Sequence, residues 1–91
     1  MSVQAIEIAF GADVASAVHK LVLLALADGT PLHSVAARCG LEADHAADVI
    51  QELQDEGHVA MTAQGPVFRD RAGWVSTNGE RYREGLCRCA P

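Results

Sequence analysis

The chain has 91 residues and a formal net charge of −5, from twelve acids against seven Lys and Arg. That length predicts a single domain over 1–91 with one modest core, burying roughly 60–65% of the unfolded surface. Only Phe10, Phe68, Trp74 and Tyr82 are aromatic, too few for a stacking platform that binds single strands, and no apolar run approaches the ~18 residues of a membrane span.

The opening residues Met1–Glu7 carry no basic region and no cleavable apolar run, so the expected location is cytoplasmic. Val3, Ile6 and Phe10 then fall at helical spacing, with Gly11 as a stop. Asp13 is a good cap for a stronger helix over 14–27, whose buried stripe is predicted to be Val18, Leu21, Val22, Ala25 and Leu26. Asp28-Gly29 ends it. Thr30-Pro31 is a cap with proline at the first helical position, starting a helix over 32–39 that keeps Leu32, Val35 and Ala36 on one face. Gly40 supplies a left-handed turn and Leu41 an anchor. The next helix covers about 43–56, with Ala46, Val49, Ile50 and Leu53 inward and Gly57 closing it.

After Gly57 the period changes from helix to strand. Residues 58–62 and 67–75 read as two strands joined by the turn-prone Ala63-Gln64-Gly65-Pro66, a wing over about 58–75. Ser76-Thr77 is read as the cap of a last helix over 78–87, carrying Tyr82 and Leu86 inward. The predicted fold class is mainly α with a small β-hairpin, in the order of a winged helix-turn-helix.

Particular residues strengthen that reading. Val35-Ala-Ala-Arg-Cys-Gly-Leu41, followed by Leu53, Gly57 and Val59, resembles the helix-turn-helix core of winged-helix proteins. Gln4-Ala-Ile6, Ala9-Phe10 and Lys20–Asp28 look like helix-turn-helix domains of phage replication-type proteins. The resemblance covers about residues 2–60. The wing and the final helix, with Ser76–Arg81, are similar only in a general way to small winged-helix regulators. The resemblance implies that the 43–56 helix stands where such proteins keep the helix that enters DNA.

Its charge argues otherwise. Residues 42–56 hold six acids and no Lys or Arg, whereas five of the seven basic residues lie after residue 68. Asp44, Asp48, Gln51 and Asp55, spaced i, i+4, i+7 and i+11, share the face opposite Val49, Ile50 and Leu53. DNA-reading relatives usually offer Ser, Thr, Arg, Lys or Asn early in this helix, and here only His45 and Gln51 could address bases. Each carboxylate about 4 Å from a phosphate costs on the order of 1 kcal/mol even in bulk water.

No catalytic constellation or phosphate-binding Gly loop is evident, and an enzyme is not expected. His19, His33, His45 and His58 are scattered, and the three cysteines form no disulfide framework. Cys39 reads as a small core residue, while Cys87 and Cys89 flank Arg88 without the four ligands of a finger. No metal or cofactor is expected.

Two function classes follow. The first is a phage-like protein-binding module that places Asp44, Asp48, Gln51 and Asp55, with Glu52 beside them, on a basic protein surface. The partner would be a nucleic-acid-binding host complex, inhibited by a DNA-mimic-like charge pattern. Small phage proteins that block host defence complexes are the comparison the resemblance suggests. The alternative is a double-stranded-DNA-binding transcriptional or replication regulator. It would use Arg38, Arg69 and Arg71 on phosphates and His45 and Gln51 on bases. Arg69 and Arg71 would then share one face of a wing strand, and the last helix, with Tyr82 and Leu86, would either provide a homodimer contact or cap the monomer's core.

Overall fold

Residues 3–63, 65–70, 73–77 and 79–83 are described by the computed structural model. Helix α1 spans Val3–Gly11 and buries Ala5 and Ala9 completely, while Phe10 is 65% exposed. The small residues at i and i+4 let α1 lie close against the next helix. Phe10, about 100° further round than Ala9, is left outside, against the expected inward spacing.

Helix α2 spans Ala17–Ala27 and starts three residues later than Asp13 would place it. The cap is Ser16, in extended backbone, whose Oγ accepts the His19 backbone N–H at 3.3 Å. This helix packs on α1, on both following helices and on the second strand of the sheet. Val22, Leu23, Ala25, Leu26 and Ala27 are buried accordingly. Two members of the expected stripe sit at its edge, Val18 half-buried and Leu21 exposed.

The expected helix over 32–39 is divided. Pro31 caps a 3-10 turn over Leu32–Ser34, and helix α3 follows over Val35–Cys39. Pro31 therefore stands one place before the first helical position. Of the predicted inward face only Val35 is fully buried, Ala36 is half-buried, and Leu32 is exposed on the rim of two depressions. Gly40 ends α3 at φ 72°, with its N–H on the Ala37 carbonyl and the Leu41 N–H on that of Ala36. A Cβ there would meet no atom within 4 Å, so the cost of a side chain is conformational and not steric. Gly40→Ala should lower unfolding free energy by about 1 kcal/mol in a urea titration, and an unchanged midpoint would contradict the left-handed turn.

Helix α4 spans Ala43–Asp55. Ala46, Val49 and Leu53 are buried as expected and Ile50 is half-buried. Strands β1 (Val59–Thr62), β2 (Gly65–Asp70), β3 (Gly73–Ser76) and β4 (Arg81–Arg83) follow. They form one antiparallel sheet in sequence order.

The sheet corrects the expected hairpin in two places. The presumed single strand over 67–75 is two strands paired through Val67↔Ser76, Phe68↔Val75, Arg69↔Trp74 and Asp70↔Gly73. The presumed last helix contains β4, in which Tyr82 pairs with Trp74 and Arg81 with Val75. Ser76 explains the second error. Its Oγ accepts the Glu80 N–H at 3.1 Å and its own N–H reaches the Glu80 carbonyl at 2.8 Å. The side-chain acceptor that can open a helix here closes a strand connection. The rest of the predicted helix, with Leu86, lies outside the described residues.

β2 carries the sheet's contribution to the core. Phe68 is fully buried in one cluster with Ala5, Ala9, Val22, Leu23, Leu53 and Val59. Val67 next to it points to the opposite face and is also buried. The fold is thus mainly helical with a small antiparallel sheet, an arrangement compatible with a winged-helix-like α/β protein. Among the described residues, no helix is long and apolar enough to cross a membrane.

Candidate functional site

The outward face of α4 is built as its spacing requires. Asp44, His45, Asp48, Gln51 and Asp55 are all exposed, because the buried Ala46, Val49 and Leu53 fix the rotation of the helix about its axis. Gln51 donates to Asp55 Oδ1 at 3.0 Å, one turn on, which tethers the two members of the row nearest the C-terminus. No described Lys, Arg or His pairs with Asp44, Asp48 or Asp55 within ion-pair distance. The row is therefore uncompensated by any described cation.

Helix energetics make this arrangement costly at one end. Asp44 in the first turn complements the helix dipole. Asp55 stands in the last turn, where no basic residue is present, and an acid there opposes the dipole by about 0.3–1 kcal/mol. Asp44 and Asp48, four apart, repel by a further few tenths, about 0.2–0.5 kcal/mol. The Gln51–Asp55 hydrogen bond offsets about 0.2–0.5 kcal/mol of this.

Glu52 is drawn away from the row. Its Oε1 lies 2.6 Å from His19 Nε2 on α2, and the His19 side chain is only 12% exposed. His19 Nδ1 is 2.6 Å from Ser16 Oγ. With the ring proton on Nε2 toward Glu52, Nδ1 accepts the Ser16 hydroxyl, and the same Oγ accepts the His19 backbone N–H. This Ser16–His19–Glu52 chain was not legible in sequence, since 33 residues separate His19 from Glu52. Its geometry is a clasp that ties the start of α2 to the middle of α4. His58, the other paired histidine, lies 3.6 Å from Glu56 Oε1.

The residues proposed for DNA contact are dispersed. Arg38 forms an ion pair with Asp28 at 2.9 Å and donates to Thr30 Oγ1 at 3.1 Å, so its charge is balanced within the chain. Arg69 stacks over Trp74, with 5.3 Å from its guanidinium carbon to the ring centroid, across the cross-strand pair Arg69↔Trp74. Arg71 lies outside the described residues. The expected Arg69/Arg71 alternation therefore also falls outside the described residues. Arg81, expected on a helix, extends from β4 to Asp70 at 2.8 Å.

Cys39 is half-buried, and its thiol is held above the ordinary range by desolvation, an effect partly opposed by the neighbouring Arg38 cation. Its Sγ lies 3.8 Å from the Leu21 carbonyl, the direction of a weak donor. A protonated, hydrogen-bonded thiol is a poor nucleophile and metal ligand. Cys87 and Cys89 lie outside the described residues.

Apolar depressions adjoin the helices among the described residues. One depression of about 320 Å³ lies among α1, α2 and α3, with the exposed Phe10 and Leu21 on its rim. Another of about 260 Å³ runs between the 3-10 turn, α3 and the flank of α4. No protein-family model, curated protein or solved structure matches this chain.

Proposed function

We propose that the chain is a non-enzymatic winged-helix-turn-helix protein that binds a protein partner through the acidic face of α4. The observation that carries this reading is the row Asp44, Asp48 and Asp55, exposed and unpaired with any described cation at some expense to its own helix. In this reading the 3-10 turn with α3, the Gly40 turn and α4 form the helix-turn-helix, and the sheet is an enlarged wing. A partner surface rich in Lys and Arg, such as the duplex-binding surface of a nucleic-acid-binding complex, is the complement. The chain would act there as an inhibitor that mimics the charge of DNA. Direct duplex binding as a regulator is the weaker reading, because Arg38 is already ion-paired and α4 would bring its acids between two rows of phosphates.

The test compares the wild-type chain with an Asp44→Lys/Asp48→Lys/Asp55→Lys variant. All three sites are exposed, so the variant should unfold within about 0.5 kcal/mol of wild type, or later. As bait, wild type should retain basic nucleic-acid-binding proteins that the variant loses by tenfold or more. Equal retention by both baits would sink the proposal. A gel shift at roughly 50 mM salt, where attraction is weakly screened, should show no duplex binding by wild type. A salt-sensitive shift would instead establish the regulator reading.

A further inference from the structure

The acidic row has an apolar neighbour on the same helix. Ala43, Ala47 and Ile50 line one wall of the 260 Å³ groove, and Leu32, His33 and Ala36 line the other. Ala47 lies about 60° or less round the helix from Gln51 and Asp44, so apolar and acidic strips run side by side along α4. Leu32 is 58% exposed on the groove's far rim and adds its apolar side chain to the strip. The wall residues on α4 at i and i+4 are both alanine, leaving room for another backbone to come close. No Lys or Arg lines the groove.

We infer that the groove and the row together take one element of the partner: an amphipathic helix with aliphatic anchors on one stripe and Lys or Arg along its adjoining edge. The inference rests on the protein-binding reading above and specifies its partner. Charge complementarity selects the occupant. An aliphatic stripe alone would fill the groove but leave Asp44 and Asp48 facing nothing. A purely basic segment would meet the acids and leave Leu32 and Ile50 wet. A helix that inserts side chains at i, i+3 or i+4 and i+7 into an apolar groove can also present cations one helical position further round. A second copy of this chain lacks the required charge on its own α4, which is acidic.

The experiment uses the full chain and a dye-labelled peptide of about 18 residues built from Leu and Lys at helical spacing, long enough to be helical on binding. An oligolysine of equal length, a Leu/Glu peptide with the same apolar stripe and a short DNA duplex are the other probes, all read by fluorescence anisotropy. The Leu/Lys peptide should bind more tightly than oligolysine, and the Leu/Glu peptide and the duplex should not bind. Ala47→Trp should fill the groove and weaken the Leu/Lys peptide about tenfold or more, while oligolysine is unaffected. Leu32→Ser, at another exposed site, should act in the same direction. Asp44→Asn with Asp48→Asn should weaken both basic probes.

If Ala47→Trp and Leu32→Ser leave the Leu/Lys peptide unaffected, or the Leu/Glu peptide binds equally well, the groove inference is overturned. The acidic-face reading then survives only if the Asp→Asn pair still weakens the basic probes. If that pair changes nothing, or the duplex binds in place of the peptides, both fall together.

Discussion

Replacing Phe68 by Ala should remove about 3–5 kcal/mol of stability, the range for deleting a buried aromatic ring. Among the described residues, Phe68 is the largest fully buried side chain. It is where the sheet meets the helical layer, since its cluster includes Ala5 and Ala9 of α1, Val22 and Leu23 of α2, Leu53 of α4 and Val59 of β1. The strand pairs on either side, Val59↔Phe68 and Phe68↔Val75, hold its backbone in place. The structure therefore cannot collapse into the space without moving three strands. A domain of this size has a total stability of roughly 5–15 kcal/mol, so the loss is a large fraction of what exists. The melting temperature should fall by roughly 15–30 °C. Phe68→Leu, which keeps most of the volume, should cost only about 1–2 kcal/mol. Thermal and urea unfolding followed by circular dichroism measure both. A loss below about 1 kcal/mol for the alanine variant would mean that the sheet does not share the helices' core.

Phe68 also marks the limit of what the sequence disclosed. The inward residues of α4 were readable because Ala46, Val49 and Leu53 repeat at helical spacing in a helix whose other positions are polar. The outward acids followed from the same rotation. Helix α2 was harder, because it is apolar almost all round and packs on several elements at once, so no single stripe could be picked and Leu21 was misassigned. The sheet was harder still. Residues 67–75 are apolar or strand-forming enough to pass for one strand, and only cross-strand pairing shows that the chain reverses between Asp70 and Gly73. Ser76 misled for a chemical reason, since its hydroxyl accepts a downstream N–H both at a helix start and in a turn. Of the candidate site, exposure was legible and partnering was not. Nothing local marks Glu52 as the partner of His19, or Arg38 as the partner of Asp28 and Thr30.

Lys20→Met should cost about 2 kcal/mol, and the loss should be felt first in α1. Lys20 Nζ donates to the carbonyls of Ala9, Phe10 and Ala12 at 3.0, 2.6 and 2.6 Å. The Ala9 and Phe10 carbonyls lie in the last turn of α1, which has no basic residue of its own there, and the Ala12 carbonyl follows just after its end. The last carbonyls of a helix lack intrahelical partners and carry the negative end of its dipole. An ammonium from α2 answers both needs with three donors at one point. Helix α1 has nine residues, too few to persist alone in water, so it depends on this contact and on burial of Ala5 and Ala9. Methionine preserves the stem and removes the donors. Hydrogen bonds to a charged group contribute about 1.5–3 kcal/mol, and partial exposure of the site reduces three of them to a total near the middle of that range. Lys20→Arg should recover only part of the loss, because a planar fork cannot converge on three carbonyls as an ammonium does. Amide exchange should show α1 opening well before α4. Uniform exchange across both helices, or no loss of stability, would refute the capping role. The contact bears on function as well. Lys20 and Arg38 are the only Lys or Arg before residue 69. One closes α1 and the other is paired with Asp28. Both cations of the helical layer are thus engaged within the fold, which is why the acids of α4 face outward without a counter-charge from that layer.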